Sequence, residues 1–333
     1  MVWIASWMGG LLAAVALALV TGWGALAAYY LGPGSETLRS GLAWGFAALG
    51  LVAVAGLFTR RARPIAAPGF ALLFAAALLL FFRTEASNDR DWQPDVAVLP
   101  YATFDGDLVT VHNIRNFDYR SETDFTPAWY DRSFDLRKLD RVDLIAVYWM
   151  GPAIAHTLLS FGFGDAHLAV SIETRKERGE AYSSLAGFFR QFELVYVVAD
   201  ERDVIRLRTN YRKDPPEAVY VYRILGEAEN GRRVFLDYLR EMNELRERPR
   251  FYNTLTTNCT TTILAHATVN PGHLPFSWKV LLSGYTPEYA YEMGRLDRSL
   301  PFEELMRRSH VNAAAQAADA APDFSQRIRA GLP

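Results

Sequence analysis

Cysteine is almost absent from this chain: Cys259 is the single one among 333 residues. An internal disulfide is therefore excluded, and so are the zinc sites that need paired cysteines. The sequence also has no His-Glu-x-x-His motif and no close pair of histidines, and no glycine-rich phosphate loop follows a predicted strand. We therefore expect neither a metal ion nor another cofactor.

Charge is nearly absent from the first quarter of the chain, where Glu36 is the only acidic residue before Arg83. From Thr84 onward, charges of both signs are dense. The formal net charge of the whole chain is −2 and there is no large basic block, which argues against nucleic acid as a partner. The two parts of the chain are therefore of different kinds.

Three apolar runs fill the uncharged part, at residues 2–30, 41–58 and 68–82. A helix needs about 20 residues to cross a bilayer, and the third run reaches that length only if residues 65–67 join it. The first run is too long for a cleaved signal peptide, lacks a basic start and is followed by two further runs. Residues 1–83 are thus predicted to be a membrane domain with three transmembrane helices.

The short loops predict the orientation of these helices. Residues 59–64 contain three arginines, whereas residues 31–40 contain only Glu36 and Arg39 as charged residues. Because positive charge marks the cytoplasmic side, the arginine-rich loop and the N-terminus should lie inside. The sequence therefore predicts a multi-pass protein of the bacterial inner (cytoplasmic) membrane with a periplasmic soluble domain.

In the charged part, apolar alternation gives way to a helical period, which predicts an α+β fold with an antiparallel sheet and flanking helices. One helix is expected at residues 231–246 and a second from near Cys259 to before Pro271. The predicted strands are residues 107–113, 144–149, 153–163, 168–173, 192–198 and 218–224. The predicted domain limits are a linker at 84–95, an extracytoplasmic domain at 96–312 and a loose tail at 313–333.

Cys259 lies in a polar setting that is typical of a helix start. Thr257 or Asn258 is a natural N-cap, so Cys259 would fall in the first turn of the second helix. The helix dipole and the unpaired amides there favour the thiolate, the nucleophilic form of the side chain. The competing interpretation is a small buried hydrophobic residue, but the cap-like context favours a nucleophile.

His156 is the best candidate for the base, because an ionisable side chain in an otherwise apolar strand needs a partner. If the following turn is centred on Gly164 and Asp165, His156 lies opposite Glu173, which could orient the imidazole. Glu173 could equally pair with Arg175. Ser171, on the same face of that strand, is the alternative third member.

Several stretches together resemble the Lnb N-terminal periplasmic domain family, and more broadly the circularly permuted papain-like (NlpC-type) thiol enzymes. The resemblance covers roughly residues 100 to 285. The stretches are HTLLSFGF at 156–163, SIETR at 171–175, ELVY at 193–196, and the segment from Tyr252-Asn253 to Asn258-Cys259-Thr260-Thr261.

The resemblance implies an acyl-thioester mechanism, because the family is named for a lipoprotein N-acyltransferase. A membrane lipid would be the acyl donor and a lipoprotein the possible acceptor, and the resemblance implies a permuted papain-like domain. In the protein that gives the family its name the catalytic domain precedes the membrane part, whereas here three apolar runs come first. The expected site consists of the catalytic Cys259, His156 and Glu173 (alternatively Ser171), supported by Asn258, Thr260, Tyr252, Asn253 and Arg175.

Two other functions remain open from the sequence. One is a periplasmic cysteine peptidase or amidase acting on peptide or cell-wall substrates, and the other is a non-catalytic envelope module with a structural cysteine. Exposed apolar residues beside Cys259 would favour a lipid substrate, whereas a polar groove would favour a peptide.

Overall fold

The computed structural model describes residues 2–333, with the backbone alone for residues 2–10. It begins with three helices that are long and apolar enough to cross a membrane. They are α1 (Val2–Leu31), α2 (Glu36–Leu57) and α3 (Arg63–Arg83). The three predicted transmembrane helices are thereby confirmed as membrane-competent in length and composition.

The third helix includes the residues on which its length depended. It starts at Arg63, so that residues 65–67 extend the apolar run to a helix of 21 residues. Pro64 lies in its first turn, where a backbone N–H would form no intrahelical hydrogen bond, so the N–H that proline lacks is not missed. Pro68 lies inside the helix without ending it.

Small residues bring α1 and α2 close together. A Cβ atom at Gly24 would lie 2.3 Å from the ring of Phe46, and one at Gly50 would lie 2.4 Å from the Thr21 methyl group. In a bilayer the lipid tails are as apolar as the side chains, so the hydrophobic effect does not drive helices together. Helices there associate through close packing at small residues instead.

The remainder is a mixed α+β unit. Its strands are β1 (Tyr101–Asp105), β2 (Leu108–Arg115), β3 (Asp118–Tyr119), β4 (Phe125–Thr126), β5 (Trp129–Asp135), β6 (Leu139–Tyr148), β7 (Ala155–Phe163), β8 (Ala166–Arg175), β9 (Glu193–Ala199) and β10 (Ala218–Arg223). Eight of them form one sheet with the order β1-β2-β9-β8-β7-β6-β10, in which β5 also pairs with β2. The pairings in this sheet are antiparallel except for a single parallel contact between β2 and β9. β3 and β4 pair with each other in a separate two-stranded sheet.

Eight further helices cover this sheet and its edges. The long helix α5 turns a buried face with Phe235, Leu239 and Met242 inward, as its 3.6-residue period predicts. The helices are α4 (Glu201–Arg206), α5 (Ala228–Glu247), α6 (Cys259–Ala267), α7 (Trp278–Leu281), α8 (Thr286–Glu292), α9 (Phe302–Arg308), α10 (Asn312–Ala317) and α11 (Phe324–Arg327).

The structure confirms the α+β class and gives a strand at each of the six predicted positions. The sequence missed the two-residue strands β3 and β4, and also β1 and β5, which lie at the margin of the sheet and bury only one residue each. An exposed edge strand carries little of the apolar alternation that reveals a half-buried strand.

Two predicted boundaries need correction. The chain forms two compact units, of which one comprises Met1–Ser87 with Tyr182–Phe192 and the other Asn88–Ala181 with Glu193–Pro333. The predicted linker is therefore largely part of the α+β unit: the Asn88 amide donates to the carbonyl oxygens of Leu245 and Arg246 at 3.0 and 2.9 Å.

The C-terminal residues, expected to be a loose tail, instead pack on the sheet. Phe324 and Ile328 are buried in the same core cluster as Val147. Arg329 forms a buried ion pair with Glu201 at 2.6 Å and contacts Asp143 at 2.8 Å. An Ala-rich composition suggested a solvated segment, but two apolar side chains and one arginine are enough to anchor it.

We expect Arg329→Met to destabilise the α+β unit. Burial raises the pKa of Glu201, but Arg329 outweighs burial and lowers it to about 2. Removing Arg329 therefore leaves a buried carboxyl group that must either stay charged without its main cation or take up a proton, and both states are costly. Breaking a buried pair in this way costs about 3–5 kcal/mol. Thermal unfolding of the full chain in detergent should show a melting temperature lower by roughly 10 °C.

Arg327→Met is the matched control, because Arg327 pairs with Asp323 at an exposed position of the same segment. Such a pair contributes at most about 1 kcal/mol. Equal melting temperatures for the two variants would contradict the structural role of Arg329.

Candidate active site

Cys259 is the first residue of α6, and Asn258 is its N-cap. The Asn258 side chain accepts hydrogen bonds from the backbone N–H groups of Thr260 and Thr261 at 3.0 and 2.9 Å, while the Thr261 hydroxyl accepts from the Asn258 backbone at 3.0 Å. This reciprocal capping box fixes the start of the helix. It therefore sets the position of the thiol at the positive end of the helix dipole.

The segment before the cap is folded into a tight turn. Asn253 Oδ1 accepts hydrogen bonds from the backbone N–H groups of Leu255 and Thr256, both at 3.0 Å, and the Asn258 amide donates to the Thr254 carbonyl at 2.8 Å. Tyr252, the residue before Asn253, is buried. Asn253 therefore orders the turn that leads into the Asn258 cap.

His156 lies in β7, every residue of which is buried. The hairpin register runs from Phe163↔Ala166 to Leu158↔Ser171, which is the turn geometry expected from the sequence. Two residues beyond the last paired residues, His156 Nε2 lies 3.1 Å from Glu173 Oε1.

Both candidates for the third residue contact the same imidazole nitrogen. Ser171 Oγ is 2.7 Å from His156 Nε2 and donates a hydrogen bond of 2.7 Å to Glu173 Oε1. With the Ser171 proton directed to Glu173, the Nε2–H group of His156 is the donor to Ser171 Oγ. Glu173 and Ser171 thus both contact His156 from one face of β8, although the sequence predicted them to be alternatives for the third residue.

Cys259 lies beside His156, since the residues that follow them, Thr260 and Thr157, are hydrogen-bonded to each other and the imidazole lowers the pKa of the thiol. Nε2 is engaged by Ser171 and Glu173, which leaves Nδ1 for the thiol. The backbone N–H of Thr157 and the hydroxyl of Thr260 also interact with Sγ, the latter at 3.7 Å. Each of these contacts stabilises negative charge on the sulfur.

Charge in the site outweighs burial. Burial raises the pKa of the Cys259 thiol, but His156 and the surrounding donors lower it to about 7. Burial lowers the pKa of His156, but Glu173 and Cys259 raise it to about 9. The thiol is therefore ionised above about pH 7 and the imidazole protonated below about pH 9, so that between these values a thiolate–imidazolium pair predominates.

Thr260 ties the nucleophile helix to the histidine strand. Its hydroxyl lies 2.9 Å from the hydroxyl of Thr157, the residue after His156, and both side chains are buried. This hydrogen bond fixes the separation between α6 and β7 next to the reacting atoms. Thr260, which the sequence predicted to support the site, thus forms a specific hydrogen bond to the residue next to His156.

Arg208 is a site residue that the sequence did not reveal. It lies in the π-helical segment Leu207–Tyr211, and its guanidinium is 3.1 Å from Glu173 Oε1 and 3.3 Å from Glu217 Oε2. Burial raises the pKa of Glu173, but His156 and Arg208 hold it well below its usual range. Arg208 therefore helps to keep Glu173 ionised.

Arg175, predicted to support the site, does so only indirectly. Its guanidinium donates to the carbonyl oxygens of Val96 and Ala97 at 3.0 and 2.9 Å and lies 4.2 Å from the centre of the Trp92 ring. It therefore fastens the N-terminal segment of the unit to the end of β8. The pairing of Glu173 with Arg175 that the sequence left open is replaced by pairing with Arg208.

Two other histidines, His266 and His112, are held by partners elsewhere in the unit. His266, two turns after Cys259, is buried between the Tyr196 hydroxyl at 2.6 Å and Asp237 Oδ2 at 2.7 Å, so it holds α6 against β9 and α5. His112 pairs with the exposed Asp131 at 2.7 Å. Among residues 2–333, no group of three metal-ligating side chains is arranged to hold an ion.

Covalent thiol catalysis needs a nucleophile, an acid–base group and a carboxylate that orients it. Cys259, His156 and Glu173 are arranged as such a set would be.

We expect Glu173→Gln to lower the pKa of His156, because the main group that raises it is lost. Without the imidazolium, the pKa of Cys259 should rise by roughly one unit or more toward the ordinary thiol value of about 8.5. The midpoint of iodoacetamide alkylation against pH measures this shift.

Asp131→Asn is the control, because it removes the carboxylate partner of a different histidine, His112. Its alkylation midpoint should equal that of the unmodified chain. An unchanged midpoint in Glu173→Gln would show that Glu173 does not govern the ionisation of the thiol.

Comparison with known proteins agrees with the resemblance found in the sequence. Residues 125–284 match the family model described as the Lnb N-terminal periplasmic domain. No curated protein and no solved structure matches the chain. The matched range contains both His156 and Cys259. Behind three membrane-competent helices, this chain therefore carries a domain that matches the Lnb N-terminal periplasmic domain family over residues 125–284.

Proposed function

We propose that this chain is a membrane-anchored periplasmic cysteine acyltransferase, which takes an acyl group from a membrane lipid through a thioester on Cys259. The observation that carries the proposal is the placement of Cys259 beside His156, with the neighbouring Thr260 and Thr157 hydrogen-bonded at 2.9 Å and Glu173 3.1 Å from the imidazole. In this setting the imidazole lowers the pKa of a half-buried thiol to about 7. A structural cysteine needs no such arrangement.

In the first half-reaction, the thiolate of Cys259 attacks the ester carbonyl carbon of the lipid, and the carbonyl electrons move to its oxygen. The Asn258 cap engages the N–H groups of Thr260 and Thr261, which leaves the N–H of Cys259 to stabilise the oxyanion. Collapse breaks the carbon–oxygen bond, and His156 gives its proton to the departing alcohol.

In the second half-reaction, the neutral His156 accepts a proton from the attacking acceptor. An amine, such as the N-terminal amine of a lipoprotein, forms an amide as the carbon–sulfur bond breaks and the thiolate returns. Water in place of the amine yields a free fatty acid, so the same residues support hydrolysis. Glu173 stabilises the imidazolium at each stage.

A cavity with a mainly apolar lining, bounded on one side by Thr260, supports a lipid substrate. Its volume is about 580 Å³, within the range of about 300–1,000 Å³ for small-molecule sites. Thr260, which contacts Cys259 Sγ, lies in its wall. The apolar lining residues include Ile263 and Leu264 of α6, Val142 and Leu144 of β6, Leu159 of β7, Val234 of α5 and Leu296.

An acyl chain suits this cavity because each buried methylene contributes about 0.8 kcal/mol. Charged and polar residues, among them Asp140, Arg223 and Asn230, also line the cavity. The mainly apolar lining therefore favours an acyl group over a peptide as the group transferred to Cys259.

Exposed apolar side chains follow the nucleophile helix and support the same substrate class. Phe276 and Trp278 are 65% and 56% exposed, and α7, which begins at Trp278, packs against α6. The next turn touches the histidine strand, since the Ser283 hydroxyl accepts from the backbone N–H of Ala155 at 3.0 Å. Apolar surface of this kind typically marks contact with a membrane or a partner.

The test is the intact mass of the full chain after incubation with phospholipid of defined acyl chains. We expect a mass increase of one acyl group that hydroxylamine removes. Cys259→Ala should show no adduct because the nucleophile is missing. His156→Ala should form the adduct slowly and clear it slowly, because both proton transfers are lost.

His112→Ala is the control, since this histidine lies in the exposed pair with Asp131, and it should acylate and clear normally. Absence of an adduct with every phospholipid would contradict the proposal. A thioester formed only with peptide or cell-wall substrates would instead establish the peptidase or amidase.

We also propose that the helices lie in the inner membrane with the N-terminus cytoplasmic, on the ground of the arginine-rich loop between α2 and α3. In a Cys259→Ala background, Thr59→Cys places the only thiol in that loop without removing an arginine. It should resist a membrane-impermeant maleimide in bacterial spheroplasts and react in inverted vesicles.

Leu108→Cys, at an exposed position of β2, should react in the opposite way. Labelling of Thr59→Cys from outside the spheroplasts would overturn the proposed orientation.

A further inference from the structure

Residues 182–192, between β8 and β9, leave the α+β unit and join the membrane helices as part of the same compact unit. We call this segment the β8–β9 excursion. Phe189 is buried at its centre, with its ring stacked on Tyr30 at 5.3 Å and 6.1 Å from Trp23. Both aromatic residues belong to the C-terminal half of α1.

A second contact fixes the excursion on α3. The Arg190 guanidinium lies 4.4 Å above the ring of Phe81 and donates to the carbonyl of Thr84 at 2.9 Å. Thr84 directly follows the last residue of α3. The excursion therefore rests on the ends of α1 and α3, which lie on the same side of the membrane.

The contact with Trp23 gives the depth of the excursion. At about 1.5 Å of rise per residue, Trp23 lies roughly 12 Å before Leu31, the end of α1. A side chain packed beside Trp23 is therefore at the level of the acyl chains if α1 spans the bilayer to its end. Phe189 thus carries the excursion into the membrane boundary rather than above it.

Two apolar side chains of the excursion are partly exposed. Leu185 is 46% exposed and Phe188 36% exposed, on either side of the buried Ala186 and Gly187. These residues form a 3₁₀ turn, in which side chains three residues apart project on the same side. Leu185 and Phe188 therefore form one apolar projection beside Phe189.

We propose that Leu185 and Phe188 insert into the leaflet in which α1 and α3 end, so that the β8–β9 excursion is an interfacial lipid-binding surface. The partner is the lipid surface, because the projection continues the apolar surface of the membrane-competent helices. Scattered exposed apolar residues are common, but these two adjoin a side chain packed on a spanning helix. The proposal goes beyond the catalytic function and does not depend on it.

Spin labels test the insertion in the full chain. Cys259→Ala removes the only cysteine, so Leu185→Cys and Phe188→Cys each carry one nitroxide in nanodiscs of phosphatidylcholine and phosphatidylglycerol. Collision with oxygen reports on acyl chains, and collision with a nickel chelate reports on water. We expect an oxygen-to-nickel ratio at both positions several-fold above that of Leu108→Cys, an equally exposed leucine on β2.

Nickel accessibility at both positions equal to that at Leu108→Cys would overturn the proposal. Protection from both reagents, with dipolar broadening between labels, would mean that a second copy covers the surface, which also overturns it. Because both native side chains are exposed, the labelled chains should fold, and melting temperatures equal to that of Cys259→Ala verify this.

Discussion

The ionisation of Cys259 depends on one shared carboxylate. Glu173 Oε1 lies 3.1 Å from His156 Nε2 and 3.1 Å from the Arg208 guanidinium. Burial tends to protonate a carboxyl group, and the two cations prevent this at the partly buried Glu173. If Glu173 were neutral, the imidazolium would lose its counter-charge and the thiol would keep its proton. The charge state of Cys259 is thus set by groups on β8 and on the π-helical segment as well as by its own helix.

The strand that carries His156 is held by a second ionic cluster. His156, Leu158 and Ser160 alternate along β7 and so share one face. Ser160 donates to Glu201 at 2.5 Å, and Glu201 is neutralised by Arg329. Leu158 lies in the core cluster that contains the C-terminal residues. The C-terminal segment, remote from Cys259 in sequence, therefore stabilises the strand on which the base depends.

The parts of the site that could be predicted are those encoded locally. The cap Asn258 precedes its helix directly, and the glycine turn at 164–165 fixes the hairpin register that brings His156 to Glu173. Arg208 could not be predicted, because it is 35 residues from Glu173 and lies in a segment with an irregular period. Sequence distance and local pattern carry no information on such a contact.

The errors have equally physical causes. Arg175 shares a face of β8 with Glu173, as the alternation predicts, but it lies at the far end of the strand and binds carbonyl oxygens there. The C-terminal tail was misjudged because Ala-rich composition conceals a few decisive side chains, namely Phe324, Ile328 and Arg329. The alternation of side chains along a strand and the composition of a segment thus limit which contacts are possible, but they do not decide which contacts form.

A lipid-binding environment and a charged nucleophile oppose each other, since burial raises the pKa of a thiol. The charged groups Glu173 and Arg208 act on the thiol through His156, whereas the apolar cavity begins at Thr260 and Ile263 of α6. Thr260 joins the two regions, because its hydroxyl bonds Thr157 while the residue also lines the cavity. In the proposed function, an acyl chain that fills the cavity would exclude water next to Thr260, whose hydroxyl contacts Sγ, and so strengthen the attraction between thiolate and imidazolium. Substrate binding and ionisation of the nucleophile would then favour each other.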